Sequence, residues 1–402
     1  MRASKVLQKL LRLHLPQLHA KRLQVLMQAV DSAVTHQHLT LSSLARGLSS
    51  KTTVKHRIKC MDRLLGNAAL QAQRSSFYRV LCGLLVRPGV EPIILIDWSD
   101  LKADRRWLLL RATLWTKGHA LVLYEAIHPL RRQNSPRVER DFLLTLKSML
   151  PEGVRPVIVT DAGFRGPWFA QVERLGWHWV GRVRGRTFIS IEPGQWVSCR
   201  QWFPKAKATP KTLGAGRIVR NRPVDCTLVL YRKLPQGRHQ KTVRGPRAKS
   251  RHAEQCARRE REPWLLAASP SLSERSALDI VNVYRTRMRI EQSFRTLKSH
   301  QFGFGYEDSQ SRGAARIAML LLIHLLAVFL AWIAGITARR RGLQDQCRSN
   351  SDRKRHTLSD ITLGWMVLAT KLLTLTQACF EQALRSLWHP PSCFNSPTTA
   401  RA

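Results

Sequence analysis

Between Ile317 and Ala338 the chain reads IAMLLLIHLLAVFLAWIAGITA, with no formal charge beyond what His324 carries when protonated. A helix that is apolar on every side has two homes, a bilayer or the centre of a folded body, and this length suits either. Arg312 and Arg316 precede the run and Arg339, Arg340 and Arg341 follow it, so flanking charge gives little orientation bias. No second such run occurs in the 402 residues. A buried core or dimer helix is therefore expected, with no membrane partner. The alternative, a membrane-anchored basic protein, predicts partition into membranes at high salt.

The rest of the chain must tolerate a large charge. Lys and Arg number 67 against 26 Asp and Glu, a formal net charge of +41. Such self-repulsion opposes compaction unless a polyanion is near, which points to nucleic acid as partner. A hydrophobic content of 44% argues against a disordered basic tail. The eight cysteines are scattered, with no C-x-x-C pair, so neither a zinc site nor a disulfide framework is indicated, and a reducing cytoplasm fits. The start, MRASKVLQKLLRLHL, is basic and amphipathic, and charges interrupt its apolar run before a secretory core could form; a transit peptide is the alternative.

Residues 1 to about 75 read as helical, and residues 39–67 as helix, turn, helix. Leu41, Leu44 and Leu48 recur at helical spacing, Ser49 or Ser50 can cap the next helix, and Val54, Ile58, Met61 and Leu65 form its apolar stripe. Lys51, Lys55, Arg57 and Lys59 are then left for solvent or phosphate, as on a DNA-reading helix; a helical hairpin with a basic face is the plain alternative. After Arg87-Pro88-Gly89 the period changes. EPIILIDWSD reads as a buried strand ending at Asp97, RRWLLLRATLW and LVLYEAI as a hairpin closed near Lys117 and Gly118, and VERDFLLTLKSML as a helix. RPVIVTDAGF is a second buried strand, ending at Asp161, followed by a helix with Pro167 at its start and a strand in WHWVGRVRG. The order gives an α/β fold with a mixed sheet. From Arg186 to about Ser269, short strands (TFISI, CTLVLYR, PWLLAAS) alternate with basic stretches, including an expected mobile loop over residues 232–262. ALDIVNVYRTRMRIEQSFRTLKS is expected as one long helix, and the chain as helical to about Trp388.

Three carboxylates stand out. Asp97 and Asp161 each close an apolar run at the strand edge where sites of α/β sheets form, although a carboxylate there can also cap a turn. On one continuous helix Tyr284, Arg287, Glu291 and Lys298 fall within roughly a 60° sector, with Met288 and Arg295 alongside. Glu291 can act as a plain partner of Arg287 and Arg295, but four arginines and a lysine around one acid leave charge over for phosphates. Hard divalent ions take oxygen ligands, and phosphoryl transfer uses two of them. Three acids, two from strands and one from a helix crossing the same sheet edge, would build that site.

These features resemble the bacterial DDE insertion-sequence transposases with a ribonuclease-H-like core, of the subgroup with a Y-x2-R-x3-E-x6-K signature, met by Tyr284, Arg287, Glu291 and Lys298. The resemblance covers most of the chain, through IDWSD, TDAGF and a strand-rich insertion before the third acid. It implies that Asp97, Asp161 and Glu291 ligate two Mg²⁺ ions, with Mn²⁺ also accepted, and that Tyr284, Arg287 and Lys298 grip phosphates near the transposon end. It further implies that Trp264 stacks on a base flipped out near the cleavage site while Met288 fills the vacated space. A core strand residue is the other reading of Trp264, and Trp98 is expected to be structural.

The expected organisation is a helical DNA-binding region at 1–88, a ribonuclease-H-like core at 89–185, a β-rich insertion at 186–270, the Glu291 helix of the core at 271–312, and a helical, dimerising region at 313–402. The expected activity is binding of terminal inverted repeats by a homodimer in a synaptic complex, cleavage, and joining of the 3′-OH to target double-stranded DNA in the cytoplasm, at the nucleoid, with excision through a hairpin. A ribonuclease-H-like structure-specific nuclease or resolvase would hydrolyse without strand transfer. A DNA-binding regulator would bind without turnover.

Overall fold

Residues 107–116 and 119–129 are each rich in apolar residues and short enough to be strands, and only Lys117 and Gly118 separate them. The computed structural model, which describes residues 3–234, 250–251, 254–255, 261–348 and 358–387, pairs β2 (Trp107–Thr116) with β3 (His119–Pro129) antiparallel, Thr116 opposite His119. Lys117 and Gly118 form the turn, and Gly118 takes φ +90, a conformation open to glycine. β1 (Ile93–Asp100) lies antiparallel along β2, with Asp97 opposite Arg111. Ile93 to Ile96 are buried and the strand is half-buried from Asp97 onward. Asp97 is thus inside the strand rather than at its end, because Trp98 to Asp100 keep pairing with Leu110 to Leu108.

The chain divides into two compact units, one formed by Met1–Val154 with Met288–Pro390 and the other by Arg155–Arg287. In the first, β1 to β3 are joined by α1 (Ala3–His14), α2 (Ala20–His36), α3 (Leu41–Arg46), α4 (Val54–Leu65), α5 (Ala68–Ala72), α6 (Arg74–Leu85) and α7 (Pro136–Met149). The amphipathic start is part of this body, since Val6, Leu7 and Leu11 of α1 are buried.

The apolar run of Ile317–Ala338 lies within a single core helix. Its most apolar stretch is wholly buried inside the protein, so the expectation of a core helix holds and length alone is no argument for a bilayer. Two helices precede it, α9 (Ala277–Arg285) in the second unit and α10 (Met288–Lys298), and the core helix itself is α11 (Ala314–Arg340). It is packed by α2, by β3, and by α13 (Asp360–Ala369) and α14 (Gln377–Leu387), α12 being the short Gln344–Cys347. The approach to α13 is close: a Cβ at Gly335 would stand 1.7 Å from the Asp360 carbonyl oxygen, and one at Gly364 would stand 1.7 Å from that of Ala331. Arg339 closes the same contact, donating 2.7 Å to Asp360 Oδ1.

In the second unit the strand order is β4-β5-β10-β9-β8-β6-β7, for β4 (Val157–Thr160), β5 (His178–Val183), β6 (Phe188–Ser190), β7 (Val197–Ser198), β8 (Lys211–Ile218), β9 (Val224–Tyr231) and β10 (Trp264–Ala268). β4 and β5 are parallel, crossed over by α8 (Gly166–Arg174), and the other pairs are antiparallel. The mixed α/β class is as expected. β8 was not legible in the sequence: Lys, Gly and Arg dominate it, and pairing with the apolar β9 makes it a strand. The expected basic loop lies mainly outside the described residues, as does Trp388.

The expected long helix over residues 277–298 is instead two. At Thr286 and Arg287 the amides bond Val283 and Tyr284 three residues back, and the Thr286 hydroxyl donates to the Val283 carbonyl at 2.6 Å. A β-branched residue whose hydroxyl competes for a backbone acceptor tightens the turn and ends the α-helical run. The signature residues therefore do not share one continuous helical face. Tyr284 is on α9, Arg287 in the break, and Glu291 and Lys298 on α10.

Candidate active site and nucleic-acid interface

In the first unit, α10 packs on β1 and β3, which brings the element bearing Glu291 and Lys298 against the strand bearing Asp97. Asp97 is half-buried, and its Oδ1 accepts the Trp98 amide at 2.8 Å, fixing the carboxylate. Two residues on, Ser99 accepts a 2.8 Å hydrogen bond from Lys298 Nζ. Burial pulls the Lys298 ammonium below its ordinary pKa, and Glu307 and Asp100 oppose that shift. Glu291 and Arg295 are exposed on the same helix. Trp98 behaves structurally: its ring meets His128 edge-on at 5.6 Å and its Nε1 points at Glu139, 3.5 Å away.

α10 is anchored by a buried charge network. Arg111, fully buried in β2, lies 2.8 Å (Nε) and 2.7 Å (Nη2) from Glu125 Oε2, and its Nη1 donates to the Ser293 carbonyl at 3.0 Å and hydroxyl at 3.3 Å. Tyr78 of α6 donates to the other Glu125 oxygen at 3.0 Å, its phenol pushed well above the ordinary pKa by burial and by Glu125. This network ties α6, β2, β3 and α10 together two residues beyond Glu291. In sequence Arg111 is one arginine among many, so nothing marks it.

In the second unit Asp161 follows β4 directly. Its Oδ1 accepts the Gly163 amide at 2.7 Å, and a Cβ at residue 163 would stand 2.9 Å from that oxygen, so glycine leaves the carboxylate its place. α9 packs on β4. Tyr284 is buried, with its ring meeting Trp264 edge-on at 4.9 Å, and Trp264, half-buried at the start of β10, also meets Tyr231 at 5.7 Å. Met288, the first residue of α10 in the other unit, is 52% exposed.

The helix-turn-helix-like segment forms as α3 and α4, which pack together. Its cap is Thr53, which accepts the His56 amide, and not Ser49 or Ser50; Val54 accordingly lies at the helix start and is exposed. Lys51, Lys55 and Lys59 are exposed. Arg57 differs from them: its Nη1 donates to the Arg46 and Leu48 carbonyls at 3.1 and 3.2 Å, holding the end of α3.

Compared with protein-family models, residues 88–330 match the transposase DDE domain, a span of more than half the chain that contains Asp97, Asp161 and Glu291. The chain belongs to the transposase DDE domain family. No curated protein matches it. Within this DDE domain the mixed α/β sheet is ribonuclease-H-like, as the sequence implied.

The donor chemistry suits the divalent ions that such domains use. Asp97, Asp161 and Glu291 offer only carboxylate oxygens, and a backbone amide already orients each aspartate. Among the described residues, no three His, Cys, Asp or Glu side chains stand as a ready cage.

Proposed function

We propose that this DDE-domain protein is an insertion-sequence transposase of the Y-R-E-K subgroup. It binds the terminal inverted repeats of its element as a homodimer, cleaves at the element ends through a hairpin, and joins the 3′-OH to target DNA. The observation that carries the reading is the family match over a span that includes all three acids. Asp97, Asp161 and Glu291 hold two Mg²⁺ or Mn²⁺ ions, which when bound activate the attacking oxygen and stabilise the leaving one. The chain's own part is positioning. Fixed carboxylates and an α10 anchored by Arg111 keep the ligands in place, while Lys298, Arg287, Arg295 and Tyr284 bind phosphates beside them. Trp264 offers a ring for a base, with Met288 taking the vacated space, and Lys51, Lys55 and Lys59 contact the repeat. Arg57 supports that contact by holding α3 to α4. In this division residues 1–88 bind DNA, 89–185 and 271–312 form the catalytic core around the 186–270 insertion, and 313–402 dimerise, acting on nucleoid DNA in the cytoplasm.

The test is cleavage and joining with purified protein, an element end on linear DNA, a supercoiled target and Mg²⁺. Wild type is expected to cut and integrate, and Glu291→Gln to bind the end but lose at least about a thousandfold in rate. A Glu291→Gln protein that reacts like wild type removes Glu291 from the site, and cutting without joining favours the nuclease reading.

A further inference from the structure

The second unit contains a cavity of about 910 Å³ between the start of α8, the end of β5 and the β8–β9 hairpin. Six arginines line it: Arg165, Arg182, Arg184, Arg186, Arg220 and Arg222. Glu262 serves two of them, Arg182 at 3.5 Å and Arg184 more closely. Among the described residues the other four have no carboxylate partner. Four arginines that line one concavity without a carboxylate partner among the described residues repel one another unless an anion lies between them, and the planar fork of arginine matches phosphate oxygens.

Two further features point to a strand rather than a free anion. Phe188, on the cavity wall, is 41% exposed, a ring held open among cations as in surfaces that stack bases. Val219, at the hairpin tip, adopts φ +66, which a β-branched residue seldom does. It is fixed there by a 3.1 Å bond from its amide to the Phe188 carbonyl, and Gly166 leaves room for its methyl groups. The hairpin thus holds Arg220 and Arg222 at the cavity against local backbone preference. A duplex presents its phosphates on a convex surface and hides its base faces by stacking, whereas a concavity of this size with an open ring accepts one strand.

We infer that this cavity binds the phosphodiester backbone of a single DNA strand, with Phe188 stacking on one of its bases. The inference rests on the transposase reading, and Ala162, next to Asp161, lines the same cavity. The experiment compares full-length wild type with Arg186→Ala/Arg220→Ala/Arg222→Ala, Arg186→Lys/Arg220→Lys/Arg222→Lys and Phe188→Ala. The probes are a labelled short oligodeoxythymidylate and a blunt duplex, titrated between roughly 50 and 200 mM salt. The triple alanine variant is expected to lose single-strand affinity at least tenfold and to reduce the slope of log K against log salt by about 2. The lysine variant keeps that slope, Phe188→Ala weakens binding about five- to a hundredfold at unchanged slope, and duplex affinity changes less than threefold. Retention of single-strand affinity by the alanine variant, at an unchanged melting midpoint, overturns the inference. Equal losses on strand and duplex overturn it too, because the surface is then a general backbone contact. End cleavage by the same wild-type preparation, with Glu291→Gln as control, tests the transposase reading separately.

Discussion

Arg111 and Arg220 are the same side chain put to opposite uses. Arg111 is fully buried, and Glu125 and Ser293 hold its guanidinium, while Arg220, exposed at the tip of the β8–β9 hairpin, has no carboxylate partner among the described residues. A buried, paired charge fixes the geometry of the elements it joins and is costly to disturb. An exposed, unpaired charge adds nothing to the fold and is free for a ligand. In a chain with 67 basic residues this difference in partners, more than the number of charges, separates scaffold from binding surface.

Four measurements test whether partners, and not charge alone, separate the two arginines. Arg111→Ala leaves Glu125 buried with the Tyr78 hydroxyl but without its cation, and is expected to cost about 3–5 kcal/mol in chemical denaturation; a loss under about 1 kcal/mol would show that the buried pair does not hold these elements. Acid comes second. Burial, aided by Arg289, lowers the His119 pKa to about 3, and burial with Arg111 and His119 nearby lowers that of His324 well below 6.5. Below pH about 6.5 the unfolded chain binds protons that the native chain refuses, so stability falls as pH falls, by about 1.4 kcal/mol per pH unit for each histidine. His324→Phe should flatten the stability profile between about pH 6.5 and 5 by about 2 kcal/mol.

Third, Arg111→Met/Glu125→Leu removes both charges and keeps bulk, and is expected within about 1 kcal/mol of wild type. If it unfolds as readily as Arg111→Ala, the pair is a source of stability and not only of position. The smallest effect belongs to Arg220→Ala/Arg222→Ala, expected within about 0.5 kcal/mol of wild type in thermal melts. A clear destabilisation would show these arginines to be part of the scaffold.

The sequence alone determined those features that rest on local patterns. Apolar runs gave β1, β4 and the β2–β3 hairpin. A helix without a polar face gave the core helix α11. Acids in those runs singled out Asp97 and Asp161 as candidates, and the signature resemblance singled out Glu291 and Lys298, although the single helical face expected for them is broken at Thr286. Arg182, Arg184 and Arg186 alternate in the sequence, a pattern that puts arginines of an extended chain on one side.

Only the tertiary structure decided the rest, because each remaining feature depends on a partner distant in the chain. β8 is a strand because β9 lies beside it. Arg57 is structural because the end of α3 supplies its acceptors, and Arg111 anchors α10 because Ser293, far along the chain, presents a carbonyl to it. The break at Thr286 turned on one hydroxyl choosing a backbone acceptor over solvent, a choice that periodicity does not record. Side-chain spacing encodes burial, but pairing of charges is encoded only by the fold that brings the partners together.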